Sequence, residues 1–264
     1  MARSDMYRGL NPSGANEREI SEVTNNILNG KTNNTGTVTL NTGNATTTTI
    51  YDERIGYNSI ILLTPISASA GSDAVPYGAF QDLTDQTIAS TTTAYAMTLN
   101  TTDYSNGVYL SNSSRINVRN AGTYNFQWSG QFVNTDTQLH DVSVWLRKNG
   151  TDITGSTGFI SVPNSHGGTD GHTIIGWNYF LELAANDYIE LYWFATSTTI
   201  SLQTLVAGTS PTRPSTASLI ATMNYVSPSA STNVYVSARA QGSATLKHFA
   251  NDTADKTYGY IIVG

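Results

Sequence analysis

The chain has 264 residues, 13 of them Lys or Arg and 19 Asp or Glu, for a formal charge of -6. Only 12 % of residues are charged, about half the share of an ordinary soluble domain, and the few basic ones are scattered, which excludes the Lys/Arg clusters that nucleic-acid binding needs. There is no cysteine, so disulfides and thiolate metal sites are excluded, and every apolar run is far too short for a bilayer-spanning helix.

A chain of this length buries roughly 70–75 % of its extended surface, enough for one large β domain or two smaller ones. The start, MARSDMYRGLNPSG, lacks the apolar core of a signal peptide, so synthesis in the cytoplasm is expected, whatever the final destination. Residues 13–30 hold the one convincing helical pattern. Ile20, Val23, Ile27 and Leu28 fall on one stripe, Asn16 and Glu19 have capping-box spacing, and Gly30 suits the stop, which predicts a helix over 16–29. At about fourteen residues it is marginal alone, so its stripe needs a docking surface.

Thr37-Val38-Thr39-Leu40 and Thr49-Ile50-Tyr51 then alternate like edge strands joined by a Thr/Asn/Gly turn. The run Ile60-Ile61-Leu62-Leu63 reads as a buried strand that needs a partner. ISASAGSDAVPYG follows as a small-residue linker. From Ala79 to Val226 there is a long series of β segments. In GTYNFQWSGQF, Tyr124, Phe126 and Trp128 share one face. Asn149-Gly150 is a strong hairpin signal. Ile175, Trp177, Tyr179 and Leu181 predict one face of a long strand, Ile189, Leu191 and Trp193 that of the next, with residues 184–187 turning between them. About eight such strands suggest an antiparallel two-sheet jelly roll.

SPSAST marks a second linker, and three further strand-like runs end in the apolar segment Tyr258 to Val263, the expected partner of strand 59–63. The predicted organisation is therefore an attachment segment (1–36), a discontinuous small β domain (37–74 plus 227–264) and an inserted jelly roll (75–226). Such an insertion requires the two junctions to lie close together.

Motifs for catalysis or phosphate binding are absent, and no cofactor is expected. Asp82, Asp85, Asp103, Asp136, Asp141, Asp152 and Asp170 sit mostly beside turn-type residues, where Asx turns account for them; a glycosidase would need a facing carboxylate pair, and nothing selects one. His166, Asp170 and His172 share one Gly-rich loop and are weak candidates for a metal. Tyr104, Tyr109, Trp145 and Tyr192 are candidates for stacking on a sugar ring, against core or interface packing as the plainer role.

The segment GVYLSNSSRINVRNAGTYNFQWSGQF, then VSVWLRKNG and YFLELAANDYIELYW, resembles the C1q/TNF-like jelly roll, above all the versions in tailed-phage virion proteins. Asn186 stands where that family usually has Gly, a mild departure because Asn tolerates positive φ. EREISEVTNNILNGKTNNTGTVTL, DERIGYNSIILLTP and GSATLKHFANDTADKTYGYIIVG are similar to framing segments of structural proteins in podovirus-like phages of marine bacteria and cyanobacteria. The resemblance implies a homotrimeric virion component; from the missing motifs no enzymatic activity is expected. It would be a fibre, knob or tail-adaptor subunit that contacts other virion proteins through Ile20, Val23, Ile27 and Leu28 and displays the jelly roll toward a host surface glycan. A capsid decoration protein and a free carbohydrate-binding module are the alternatives.

Overall fold

The computed structural model describes residues 10, 13–29, 33–71, 75–226 and 234–264. Gly30 and the SPSAST linker lie outside the described residues. Helix α1 spans Glu17–Leu28. Asn16 accepts from the Glu19 N–H at 2.9 Å while the Glu19 carboxylate accepts from the Asn16 N–H at 3.2 Å, a reciprocal cap that contributes about 1 kcal/mol. None of the helix's residues is buried.

The rest is almost all strand. In chain order come β1 (Thr35–Thr39), β2 (Ala45–Tyr51) and β3 (Ile60–Pro65), then the single helical turn α2 (Ala68–Gly71) within the expected linker. There follow β4 (Tyr77–Asp82), β5 (Gln86–Thr87), β6 (Tyr95–Ala96), β7 (Thr101–Asn106), β8 (Val108–Ser111), β9 (Arg115–Val118), β10 (Gly122–Asn134) and β11 (His140–Lys148). Next are β12 (Thr151–Asp152), β13 (Gly158–Val162), β14 (Gly171–Leu183), β15 (Tyr188–Ala195), β16 (Ile200–Leu202), β17 (Gly208–Thr209), β18 (Thr212–Arg213) and β19 (Leu219–Tyr225). The chain ends with β20 (Val234–Ala240), β21 (Ser243–Asn251) and β22 (Thr257–Val263). The protein is all-β, built of antiparallel sheets with a short helix. It divides into two compact units, Met1–Asp73 with Thr232–Gly264, and Ala74–Ser231.

The first unit holds two three-stranded sheets, β1-β22-β3 and β2-β21-β20. Strand β3 does pair with the C-terminal strand, from Val263 opposite Ile60 to Tyr258 opposite Pro65. Strands β1 and β2 are close in sequence, yet each pairs in a different sheet. Leu40 and Ile50 both belong to the core that these sheets share, so residues 41–44 cross from one sheet to the other instead of closing a hairpin. Tyr260 and Ile262 of β22 complete that core. The Tyr260 ring lies across Gly36, its register partner on β1, where any Cβ would collide with it.

That ring ends in a polar clamp. The Tyr260 hydroxyl donates to Asp52 at 2.8 Å, Arg54 Nε donates to the other oxygen of the same carboxylate at 2.8 Å, and Arg54 also reaches the carbonyls of Asn33 and Thr35. Hydrogen bonding from Arg54, helped by Tyr260 and opposed by burial, holds the Asp52 carboxyl well below the usual carboxylate range.

In the second unit two sheets enclose one core. One runs β5-β16-β10-β19-β4-β7 with β14 along the other edge of β10; the other runs β12-β11-β15-β9-β8, with β13 also on β11 and β6 on β15. Alternation along β10 turns Tyr124, Phe126, Trp128 and Phe132 inward, where they meet Val142, Val144 and Leu146 of β11 and Leu191 and Trp193 of β15. Strands β14 and β15 lie in opposite sheets. The turn at 184–187 therefore carries the chain across the sandwich, because Leu181, Leu183, Ile189 and Leu191 all face the same core. Asn186 sits there at φ 69, the conformation Asn accepts at low cost.

Asp82 is almost fully buried and accepts four hydrogen bonds, from the Thr84 N–H and hydroxyl, the Thr98 hydroxyl and Asn100 Nδ2. The unit's two ends are neighbours: Tyr77 of β4 is opposite Asn224 of β19, and the Tyr225 N–H donates to the Pro76 carbonyl at 2.9 Å.

The clamp yields a pH signature. Because Asp52 titrates lower in the folded chain than its ordinary value of 3.8, its stabilisation is complete above that value and is lost as pH falls toward the depressed one. Asp52→Asn should lower stability near neutral pH by about 1–3 kcal/mol. Denaturant unfolding of both proteins should show the gap narrowing between about pH 5 and about pH 2; a gap that stays constant over that range contradicts the assignment.

Candidate functional site

The period of two along β11 that sends Val142, Val144 and Leu146 into the core sends Ser143, Trp145 and Arg147 to the outer face of their sheet. Register places Phe194 beside Ser143 and Tyr192 beside Trp145, both from β15, while Phe159 of β13 flanks Ser143 on the other side. The Asn149-Gly150 turn, with φ of 50 and 81, reverses the chain so that Asp152 lies opposite Arg147. Side chains far apart in sequence thus converge through strand register alone.

The Trp145 and Tyr192 rings are 6.1 Å apart at a 39° tilt, and the Arg147 guanidinium sits 4.4 Å from the Tyr192 centroid. Trp145 Nε1 donates to Asp152 Oδ1 at 2.9 Å. Arg147 Nε lies 2.9 Å from the same oxygen as an ion pair, but its N–H is not aligned for a hydrogen bond. The Arg147 Nη2 instead donates to the Gly150 carbonyl at 2.6 Å.

Residues 153–157 form the wall facing this cluster. The Ile153 N–H donates to the Leu146 carbonyl at 2.9 Å, and the Ser156 hydroxyl bridges the Leu146 N–H and the Ile153 carbonyl. The Tyr179 hydroxyl from β14 donates to the Ser156 carbonyl at 2.8 Å. Between this wall and β11 opens a cavity of about 400 Å³, within the usual size range of small-molecule sites. Trp145, Phe194, Ser143, Asp152, Thr154 and Thr157 are among its lining residues.

Of the four aromatic candidates for glycan contact, the structure brings Trp145 and Tyr192 together. Tyr109 lies on β8 of the same sheet, with the Arg119 guanidinium 4.6 Å from its ring. Tyr104 is exposed but belongs to β7 in the other sheet. Ser143 and Phe194 were missed as site residues, and Asp152 was read only as a turn carboxylate. The hairpin signal held the missing information, since it fixes Asp152 opposite Arg147.

The loop histidines are used locally. His166 Nδ1 lies 3.5 Å from the Asn164 carbonyl, and the two ring nitrogens of His172 lie 2.9 Å from the Asp170 carbonyl and 3.0 Å from Gln203 Oε1. Among the described residues no three His, Cys, Asp or Glu side chains gather to hold a metal ion. Asp85 binds Thr204, Asp103 binds Gln81, and Asp141 binds Ser161. Asp136 pairs with His140 at 2.8 Å, and that hydrogen bond lowers its carboxyl below the ordinary range.

Apolar surface is also exposed. On α1, Ile20 is 48 %, Ile27 57 % and Leu28 77 % exposed, and Val23 is half-buried. In the first unit Ile60 and Leu62 of β3 lie opposite Val263 and Ile261 of β22, and all four are exposed. In the second unit Ile174 and Phe180 of β14, Ile220 of β19 and Tyr104 of β7 are exposed on the outer face of one sheet. The buried Asn125 Oδ1, opposite Phe180, has no hydrogen-bond partner there. No helix among the described residues is long and apolar enough to cross a membrane.

Arg147→Met should keep the packing against Tyr192 but lose the charge over the ring and beside Asp152. The expected cost is about 1 kcal/mol, read from the denaturation midpoint; an unchanged midpoint means that the cation contributes no stability. No family model and no curated protein matches the chain.

Proposed function

We propose that the protein is a structural subunit of a tailed-phage virion. Three copies associate into a short fibre, knob or tail-adaptor; α1 docks onto another virion protein, and residues 75–226 form a C1q/TNF-like jelly roll displayed outward. Its work is assembly and adhesion, without turnover of a substrate.

The observation that carries this proposal is the apolar surface a single chain leaves uncovered: the α1 stripe and the outer face bearing Ile174, Phe180 and Ile220. On that face they stand among the polar side chains Asn125, Gln127, Ser129 and Gln131 of β10, and subunit interfaces bury mixed surfaces of that kind. Burial of apolar area at about 25 cal/mol per Å² would give a trimer its robustness. Strand order supports the jelly roll. In one sheet β4, β19, β10 and β14 are successive neighbours, and in the other β9, β15, β11 and β13. Eight strands of two Greek keys would give this order. The flanking segments that resemble phage virion proteins supply the particle context. A free carbohydrate-binding module is the second reading, favoured by the aromatic groove beside Trp145.

Light scattering on the purified protein should give a mass of three chains, and Phe180→Glu should shift it to monomer with the fold retained by circular dichroism. A chain lacking residues 1–29, which ends the deletion after α1 and leaves β1 whole, should remain a soluble trimer yet fail to join particles. A monomeric wild-type protein, or a truncated chain that still assembles onto particles, overturns the proposal.

A further inference from the structure

The cavity beside Trp145 has a floor that the fold itself does not use. Ser143 is only 6 % exposed, yet its hydroxyl has no hydrogen-bond partner among the described residues, and it lines the cavity. Hydroxyls of buried residues are normally paired within the fold, whereas this one is left to the cavity. The contrast lies one loop away, where Ser156, also buried, bonds to both Leu146 and Ile153. Ser143 is flanked by Phe194 and Phe159, neither of which offers its hydroxyl a hydrogen bond. An unpaired donor and acceptor pointing into an open cavity identifies a place for a polar ligand atom.

From this we infer that the cavity is a subsite for one neutral pyranose ring, with Ser143 on its floor, the Trp145 and Phe194 rings at its sides and the Asp152 carboxylate at its rim. The ring's C–H groups meet the aromatic side chains, where apolar area is buried without loss of hydrogen bonds. Its hydroxyls meet Ser143, Asp152 and the rim residues Thr154 and Thr157. Asp152 is already oriented, since its Oδ1 accepts from Trp145 and faces Arg147, which leaves Oδ2 to accept from sugar hydroxyls. Trp145 is fixed by the same bond, so little side-chain freedom is lost on binding.

Charge selects the class of ligand. Asp152 is the one ionisable residue among those lining the cavity, and the nearby cation, Arg147, is already beside it and over Tyr192. A carboxylate accepts hydrogen bonds from hydroxyls and repels an acidic sugar. The single carboxylate also separates binding from hydrolysis, which requires a facing pair. The subsite deepens the adhesive part of the proposed function and rests on that proposal only for its display on a particle.

The test uses the full-length protein and saturation-transfer NMR. The probes are methyl glycosides of glucose, galactose, mannose and N-acetylglucosamine, with N-acetylneuraminic acid as the anionic comparison. At least one neutral glycoside should show transfer, and the acid should show none. Ser143→Ala should weaken the responding glycoside about fivefold to tenfold, the loss expected for one ligand hydrogen bond, while the melting temperature of the free protein stays the same or rises. Trp145→Phe should weaken it at least as much. Transfer to none of the neutral probes at about 10 mM, a weak-binding limit, overturns the inference. So does binding of the acid equal to that of the neutral sugars, or affinity unchanged in Ser143→Ala. Light scattering on the same samples reports the trimer separately, so a failure of the sugar site and a failure of the assembly proposal are distinguishable.

Discussion

Pairing of β3 with β22 is the constraint on which the architecture depends, because it joins residues near position 60 to the last residues of the chain. Closing a flexible loop of that length costs about 5 kcal/mol by the logarithmic chain-entropy law. The second unit removes most of that cost if it folds first. Its entry and exit strands, β4 and β19, are adjacent and hydrogen-bonded up to Pro76 and Tyr225, so the long loop between β3 and β20 is effectively shortened to its two linkers. Insertion of one β unit into another works here for a physical reason: the inserted unit begins and ends at the same place.

Polar satisfaction then separates scaffold from surface. Asp82 accepts four hydrogen bonds and Asp52 is clamped by Arg54 and Tyr260; these buried carboxylates hold loops in place, and each lone pair they use serves the fold. Ser143 and Asn125 differ. Each is an incompletely satisfied polar side chain on the outer face of a sheet, one in a cavity and the other beside exposed Phe180. In a chain with so few ions, such unpaired groups stand out more clearly than charged patches would.

Much of this was legible because its causes are local. The capping box of α1, the alternation of β10 and the positive φ of Asn149, Gly150 and Asn186 follow from a few neighbouring residues each. The partner of β3 was legible for another reason: the apolar end of the chain was a strand without a mate. What could not be read was the sheet a turn leads to. Residues 41–44 and 184–187 have ordinary turn chemistry, which specifies reversal of the chain, while the core decides whether the next strand pairs or crosses over. The groove was hidden for the same reason. Trp145 and Tyr192 could be named as aromatics, but only register set Ser143 between two Phe side chains and turned Asp152 toward Trp145.

The two features of the second unit occupy opposite sides of its sandwich. Ile174, Phe180 and Ile220 lie on the outer face of the sheet containing β10, whereas Trp145, Ser143 and Phe194 lie on the outer face of the sheet containing β11. In the proposed trimer, packing through the first face would leave the second open to solvent, so association and sugar binding would not compete for the same surface. Threefold association would also present three shallow sites on one rigid body, and simultaneous contacts raise avidity far above what a single open cavity provides. In that proposed trimer a weak subsite would be sufficient, and the exposed apolar side chains and the unpaired serine would be two parts of one arrangement.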